Sequence, residues 1–360
     1  MFFKGLFNKI VNKQACMILL DKVIGQAKIL FNYISQKKPE EVIPEGLLGI
    51  SINKNIIAIA HLVLTGLQDI IVKSWGVFII DPTQESQSAQ NIIAKYIKDY
   101  NLNNIECCYV LDSSQYVMSL IEAVTNDNKA QEKAILWGVK DYINYSIDDA
   151  ILDYFEVPIV RARDNVKLAY AVAMRAKLSE DIGVLIKSAG ATLKYIDIKE
   201  LCLVNIISLY QPSESGCLLL NIFDENVNFL LIKDHALFIS RTTKLDIKQL
   251  DGFDPIVNAN DTKFSIAENL VLELQRSLDY GNNLFKDLNF NSISIVPCNI
   301  NLDLFVIWAK EQLGLIINKI DLTEKIKFNI NINQKEQADC LLAIGAGLRK
   351  IGGFYNVSAN

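Results

Sequence analysis

Two short apolar runs open the folded part of this 360-residue chain: Leu47-Leu-Gly-Ile-Ser-Ile-Asn-Lys-Asn-Ile-Ile-Ala-Ile-Ala-His-Leu-Val-Leu64. The polar segment Asn53-Lys-Asn55 separates them, and a third run, Ile70 to Ile80, follows Thr65-Gly66. Runs of this length, rich in β-branched residues and bounded by turn residues, are typical of strands joined by hairpins. The pattern predicts three antiparallel strands in a meander.

The same pattern returns in the second half of the chain. The turn-rich segment Gln211-Pro-Ser-Glu-Ser-Gly216 precedes three more runs, Cys217 to Phe223, Val227 to Ile232 and Ala236 to Thr242. A pattern repeated at long spacing indicates duplication. Since the chain is also long enough for two cores, we expect two halves of similar architecture.

Helical and extended segments alternate after each meander, which predicts an α/β protein. The predicted helices are Ser86 to Tyr100, Lys129 to Ile143, Glu180 to Ala189, one starting near Lys199, Ser265 to Tyr280, Leu302 to Leu313 and Gln337 to Leu348. The predicted extended segments are Cys107 to Leu111, Ile151 to Val157, Leu168 to Met174, Leu193 to Ile198, Ser292 to Val296 and Leu315 to Ile320. Ser265 and Glu268 have the spacing of a capping box at a helix start.

The net charge of −5 conceals an asymmetry along the chain. Up to Lys38 there are seven lysines and a single acid, Asp21, so this segment carries +6 and the remainder carries −11. An acidic body repels phosphates, so we expect no nucleic-acid partner.

The first ten residues combine aromatic and basic side chains at helical spacing, a pattern typical of a helix lying on an anionic membrane surface. A helix that packs on the protein's own body is an equally good interpretation. The candidate membrane contacts are Phe2, Phe3, Lys4, Phe7 and Lys9. The longer apolar stretch Ala15 to Phe31 contains three charged residues, too many for a membrane span. We therefore expect the protein to stay on the cytoplasmic side.

Cysteine and histidine usage argues against disulfides and zinc. Seven cysteines are scattered, mostly within apolar runs, and no Cys-x-x-Cys occurs. This indicates small buried side chains in a reducing compartment. His61 and His235 are the only histidines, so we expect no metal site.

Four segments, in order along the chain, carry a resemblance to a known family. They are Ala134-Ile-Leu-Trp-Gly-Val-Lys-Asp-Tyr-Ile143, Ile147-Asp-Asp-Ala-Ile-Leu-Asp-Tyr-Phe155, Leu272-Glu-Leu-Gln-Arg-Ser-Leu-Asp-Tyr280 and Leu341-Leu-Ala-Ile-Gly-Ala-Gly-Leu-Arg349. Across Gly46 to Lys350 the chain resembles the PilM/MshI-type pilus assembly proteins of the actin-like ATPase superfamily, and the MshI branch most. The resemblance implies an α/β, actin-like (duplicated ribonuclease-H-like) two-domain fold with a small inserted subdomain, preceded by a helical N-terminal arm.

With the resemblance, the patterns divide the chain into four parts. Residues 1–45 form a basic, helical arm and linker, and residues 46–213 form the first actin-like domain, with the inserted subdomain at about 84–158. Residues 214–350 form the second actin-like domain, and residues 351–360 form a tail.

The resemblance also implies a nucleotide site between the halves, made by two hairpin turns and an adenosine loop. In the superfamily the turns carry aspartates for Mg²⁺ and glycines that let phosphate approach the backbone. Here Ser51 and Asn221 stand in place of the acids, and Phe223 would put a ring where phosphate needs bare backbone. We expect a vestigial pocket and no bound cofactor, with residual binding of ATP and Mg²⁺ left open. Its residues are Ser51, Asn53, Lys54, Asn221, Phe223, Asp224, Pro297 and Asn299.

A protein partner follows from the same resemblance. In the PilM family, a groove beside the inserted subdomain holds the N-terminal cytoplasmic peptide of a single-span inner-membrane protein of the PilN or MshJ type. Trp137, Lys140, Asp141 and Tyr142 match the family signature and combine an aromatic anchor with polar groups, so they are candidate contacts. Alternatively, Trp137 simply packs the inserted subdomain onto the main one.

Three functions remain in competition at this point. The first is a non-catalytic scaffold of a type IV or MSHA-type pilus platform, cytoplasmic and peripheral to the inner membrane, with a pilus assembly ATPase left open as a second partner. The second is an active actin-like ATPase or small-molecule kinase, for which Asp224 is the only candidate acid. The third, a cell-division membrane tether, ranks lowest because the tail is short and broken by glycine.

Overall fold

The computed structural model describes residues 43–349, except 66–68, 82, 85–87, 123–127, 161–165, 211–215, 224–225, 260, 286–287 and 289. The helices in this part are α1 (Ala89–Asp99), α2 (Asn128–Lys140), α3 (Ala176–Ser188), α4 (Lys199–Ile207), α5 (Thr262–Leu284), α6 (Asp303–Leu313) and α7 (Gln334–Gly347). The strands are β1 (Leu47–Asn53), β2 (Ile56–Leu64), β3 (Ile70–Ile79), β4 (Glu106–Leu111), β5 (Tyr116–Glu122), β6 (Ala150–Val160), β7 (Lys167–Arg175), β8 (Thr192–Ile198), β9 (Gly216–Phe223), β10 (Asn226–Lys233), β11 (Ala236–Lys244), β12 (Phe290–Ile295), β13 (Ile316–Lys319) and β14 (Lys327–Phe328).

The first sheet has the strand order β14-β3-β2-β1-β4-β8. β1 and β2 are antiparallel and are joined by the two-residue turn Lys54-Asn55, in which Lys54 has a φ of 53°. β3 continues the meander antiparallel to β2, whereas β4 and β8 extend the other side of the sheet in parallel. The predicted first meander is confirmed.

The second sheet repeats this arrangement in the order β11-β10-β9-β12-β13. β9, β10 and β11 form the antiparallel meander, and β12 and β13 add parallel strands. Asp234 and His235 connect β10 to β11 with φ values of 47° and 61°, the two positive values that a type I′ hairpin turn needs. The prediction of two halves with the same architecture is confirmed.

A third, small sheet has the antiparallel order β5-β7-β6. Helix α2 packs on it through Ile135 and Val139. A Cβ atom on Gly138 would lie only 2.1 Å from Cγ2 of Ile121, so the helix approaches the sheet closely at that point. The small sheet runs from Tyr116 to Arg175, which differs from the expected subdomain range of 84–158 because β7 pairs with both β5 and β6.

The last helix, α7, covers the first sheet although it follows the second in sequence. A Cβ atom on Gly49 of β1 would lie 1.8 Å from the carbonyl oxygen of Ala343, and one on Gly347 would lie 2.3 Å from Cδ1 of Leu62. β14 pairs in parallel with β3, and the indole nitrogen of Trp75 donates to the carbonyl oxygen of Ile330 at 3.1 Å. The end of the chain's second half therefore completes the first sheet.

Three helices, α3, α5 and α7, begin three or four residues earlier than the sequence indicates. Asp261 caps α5 by accepting a hydrogen bond from the amide of Phe264 at 3.2 Å, so the predicted capping box at Ser265 and Glu268 is wrong. A capping box does start α7, where the side chain of Asn333 accepts from the amide of Glu336 and the carboxylate of Glu336 accepts from the amide of Asn333.

Six of the seven cysteines belong to the described residues, and all six are buried and free, as predicted. No helix among the described residues is long and apolar enough to cross a membrane. The arm, with Phe2, Phe3, Lys4, Phe7 and Lys9, and the tail at 351–360 lie outside the described residues.

Candidate functional site

A cleft of about 340 Å³ lies between the ends of the first and second sheets, and we call it the inter-sheet cleft. Lys54 is exposed in the β1–β2 turn and does not line it, and Asp224 lies outside the described residues. The predicted residues come from equivalent places in the two halves, because β1 and β9 hold the same central position in their sheets. The predicted pocket residues that line the cleft together are Ser51, Asn53, Asn221, Phe223, Pro297 and Asn299.

Two carboxylates, Asp112 and Asp339, line the cleft. At the positions where the resemblance implies acids, the neutral side chains of Ser51 and Asn221 are buried. Asp112 accepts a hydrogen bond from the amide of Ser114 at 3.0 Å, and Asp339 accepts one from Nδ2 of Asn299 at 3.0 Å. Among the described residues, no group of three or more His, Cys, Asp or Glu side chains is placed to hold a metal ion.

Lys199, which sequence reasoning did not select, places a positive charge in the cleft. Its Nζ lies 3.9 Å from the ring centroid of Phe223 and 3.9 Å from Oε1 of Glu200. Burial lowers the pKa of Lys199, an effect that the Glu200 carboxylate opposes. Since Lys199 begins α4 and Phe223 ends β9, a cation–π contact joins the two halves across the cleft. Lys199 directly follows a predicted strand, at the strand end where α/β sheets bind ligands, and that signal could have identified it.

A second cavity, of about 180 Å³, lies between the small sheet and the first sheet, and we call it the small-sheet groove. Strands β6 and β7 form one wall, and β4, β8 and the start of α4 form the other. The apolar lining consists of Leu111, Ile151, Tyr154, Phe155, Val172, Met174, Ile196, Ile198 and Leu201.

The charged residues of the small-sheet groove are two acids and one base. Asp197 is 3% exposed and accepts hydrogen bonds from Nη1 of Arg349 at 2.5 Å and from the amide of Ile198 at 2.9 Å. Burial raises the pKa of Asp197, and the guanidinium of Arg349 opposes this effect. Asp153 is exposed at the same groove. Arg349 is the only basic residue among the described residues that line the groove, so the lining carries one excess negative charge when both acids are ionised.

The predicted partner contacts lie together near the end of α2, and none of them lines the small-sheet groove. Trp137 and Tyr142 are 66% and 68% exposed, and Nζ of Lys140 lies 4.7 Å from the ring centroid of Trp137. Asp141 is also exposed. This exposure of Trp137 does not fit the alternative in which it packs the inserted subdomain onto the main one. Sequence reasoning did not select the groove residues, although Asp153 belongs to a signature segment.

Comparison with known proteins gives a likeness in structure. Neither a family model nor a curated protein matches the sequence. A chain of the PilM-PilN type IV pilus biogenesis complex superposes with a TM-score of 0.60 at 17% identity, over 85% of this chain and 98% of that chain. The cytoplasmic domain of EpsL from the type II secretion system of Vibrio cholerae gives 0.43 at 10% identity, over 84% and 94%. A Bacteroides thetaiotaomicron protein with an actin-like ATPase fold gives 0.44 at 8% identity, over 79% and 93%.

The repeated sheet order and the PilM-PilN likeness identify the same architecture. Each half has a three-stranded meander extended by two parallel strands, with a cleft where the central strands end. The superposition spans nearly the whole of the compared chain. The protein therefore has an actin-like fold, shared with a chain of the PilM-PilN complex.

Proposed function

We propose that this protein is a non-catalytic, actin-like scaffold of the PilM/MshI type in a type IV or MSHA-type pilus assembly platform. It works at the cytoplasmic face of the inner membrane and binds the N-terminal cytoplasmic peptide of a PilN- or MshJ-like membrane protein. The fold shared with a chain of the PilM-PilN type IV pilus biogenesis complex supports this proposal.

The observation that carries the proposal is the small-sheet groove. Ile151, which is 43% exposed, gives it an accessible apolar residue, and buried Met174 lies in the same lining, between two sheets whose strands are paired along their length. Apolar side chains of a peptide lose contact with water when they enter such a groove, which favours binding by about 25 cal/mol for each Å² buried. Trp137 and Tyr142 offer further aromatic surface on the same subdomain.

Calorimetry with a synthetic peptide tests the proposal. The peptide copies the N-terminal cytoplasmic segment of the single-span membrane protein encoded next to this one. We expect micromolar binding to the full-length protein, and we expect Ile151→Asp to weaken it at least tenfold because a charge then faces the apolar lining. Ile256→Asp, which changes an 87% exposed side chain in the other half, is the matched control and should bind normally. The absence of binding at high micromolar concentration, with and without ATP, would contradict the proposal.

The inter-sheet cleft supports the non-catalytic part of the proposal. Neutral Ser51 and Asn221 stand where the superfamily has aspartates, and the ring of Phe223, the last residue of β9, lies against Lys199 of the first half. Pro297 has no amide to offer an adenosine ligand. We expect neither Mg-ATP binding in the low micromolar range by calorimetry nor phosphate release. Low micromolar affinity together with turnover would favour the alternative, an active actin-like ATPase or small-molecule kinase.

The basic N-terminal segment supports a peripheral contact with the membrane. Its charge of +6 should draw it to anionic lipid, and its phenylalanines should anchor it in the headgroup region. In a vesicle flotation assay, we expect binding to increase with the fraction of anionic lipid and to decrease with salt. Phe3→Asp combined with Phe7→Asp should abolish it. Binding that is insensitive to lipid charge and to these substitutions would disprove the contact.

A further inference from the structure

The charges of the small-sheet groove are not balanced. Buried Asp197 pairs with half-buried Arg349, which leaves Asp153 as the third charged residue of the lining. Asp153 is exposed, and its Oδ1 accepts a hydrogen bond from the amide of Tyr154 at 2.8 Å. Within the described part of the chain this is the one hydrogen bond to the carboxylate, so Oδ2 and one lone pair of Oδ1 can accept from a ligand.

The surroundings of Asp153 specify the chemistry of that ligand. Tyr154 and Ile151 flank it on β6, and both line the groove. Asp153 and Asp197 line the same groove, and the charge of Asp153 adds to the burial that raises the pKa of Asp197. An anionic ligand would meet two carboxylates, and a neutral apolar ligand would leave Asp153 partly desolvated without a partner. A ligand with an apolar side chain next to a positive group can contact the apolar lining and also neutralise Asp153.

We propose that the bound partner peptide places a positively charged nitrogen on Asp153 and an adjacent apolar side chain in the small-sheet groove. This inference rests on the proposed function. The nitrogen belongs either to the peptide's N-terminal amine or to a lysine or arginine side chain. Both sources offer the same charge-assisted hydrogen bond to a carboxylate.

Three forms of the partner peptide distinguish these sources: the unmodified peptide, its N-acetylated form, and a form with each lysine and arginine changed to glutamine. We expect one of the two modified forms to bind the full-length protein about tenfold more weakly, and the other to bind like the unmodified peptide. Binding of the unmodified peptide should weaken between 50 and 500 mM salt, because Asp153 is exposed and salt screens its attraction to the peptide's positive group.

Substitutions in the protein test the role of Asp153 directly. Asp153→Asn should weaken binding of the unmodified peptide about tenfold, whereas Asp149→Asn, an exposed acid just before β6 that does not line the groove, should leave it unchanged. Asp153→Lys should lose binding of the unmodified peptide. Where the three peptides assign the positive group to a lysine or arginine, changing that residue to glutamate should restore binding to Asp153→Lys.

Separate outcomes test the inference and the proposed function. Equal binding of all three peptides, or equal binding by Asp153→Asn and the unmodified protein, would overturn the inference and leave the proposed function standing. No binding of any peptide would overturn both. A self-association that Asp153→Asn removes, seen by sedimentation in the absence of peptide, would assign the groove to a second copy of the chain and also overturn the inference.

Discussion

His61 lies in β2, a strand that the apolar pattern predicted, and its side chain is buried. It is 5% exposed, and its Nε2 donates a hydrogen bond to the carbonyl oxygen of Glu45 at 2.8 Å. Burial lowers the pKa of His61 below 6.5 and the charge of Lys73 adds to this effect, while the bond to Glu45 opposes it. His61 therefore has a structural role, in keeping with the sequence, which places no nucleophile beside it.

This pKa shift predicts a pH dependence of stability. Below pH 6.5 the unfolded chain binds a proton on this histidine more readily than the folded chain does, so acid lowers the free energy of unfolding. We expect the difference in that free energy between the unmodified protein and His61→Gln to shrink as the pH falls from 7, by at most about 1.4 kcal/mol per pH unit. Urea unfolding at several pH values measures it. Parallel pH profiles for the two proteins would contradict the prediction.

Sequence reasoning at the residue scale found part of the inter-sheet cleft and none of the small-sheet groove. Ser51, Asn221 and Phe223 were selected because they replace residues of a known pattern, and they do meet in the inter-sheet cleft. Lys199 and Arg349 were missed as site residues because their roles depend on partners far away in sequence. Arg349 is bound to Asp197, 152 positions earlier, and a spacing of this size leaves no periodic signal.

Among the secondary-structure elements, helix α7 was predicted from the sequence, but the role of its glycines depends on residues distant in sequence. Its glycines resemble part of a phosphate loop in composition, but they serve packing. A Cβ atom on Gly345 would lie 2.4 Å from the carbonyl oxygen of Cys202, and the carbonyl oxygen of Gly345 accepts a hydrogen bond from Nδ2 of Asn205 at 3.0 Å. The helix itself was predicted from its composition, whereas its close contact with α4 depends on tertiary packing.

The space around two helical glycines predicts opposite effects of their substitution by alanine. Gly345→Ala should lower the free energy of unfolding by about 1–3 kcal/mol, because the new methyl group would overlap the backbone of α4. Gly183→Ala on α3 is the matched control: a Cβ atom there meets nothing within 4 Å, so it should raise stability by about 0.5–1 kcal/mol. Chemical denaturation measures both. An unchanged or increased stability of Gly345→Ala would disprove the packing role.

On the scale of the whole molecule, the two halves are interdependent. The predicted first domain, residues 46–213, contains neither β14 nor α7, yet these elements complete and cover the first sheet. The buried side chains of Leu341, Ile344 and Leu348 belong to that cover. A boundary near 213 follows the repeat in the sequence but not the packing.

This packing predicts that the fragment 46–213 does not fold alone. Without α7 the apolar face of β1 and β2 would be exposed to water, so we expect the fragment to bind a hydrophobic dye and to lack a cooperative thermal transition. The fragment 43–350 is the control and should unfold cooperatively. Circular dichroism with temperature distinguishes the two, and a sharp transition in 46–213 would show that the first half is an independent domain.

Local pattern was enough to predict the two meanders, most of the helices and the duplication, because alternating apolar runs and turn residues act over a few neighbouring positions. The actin-like assignment came from the resemblance to a known family. The same resemblance selected Ser51 and Asn221, which the structure places near the ends of β1 and β9. The return of the chain's end to the first sheet, the Lys199–Phe223 contact and the acidic small-sheet groove depend on residues that are distant in sequence. Their physical cause is the burial and pairing of side chains that meet only after the two sheets have packed, so only the tertiary structure determines them.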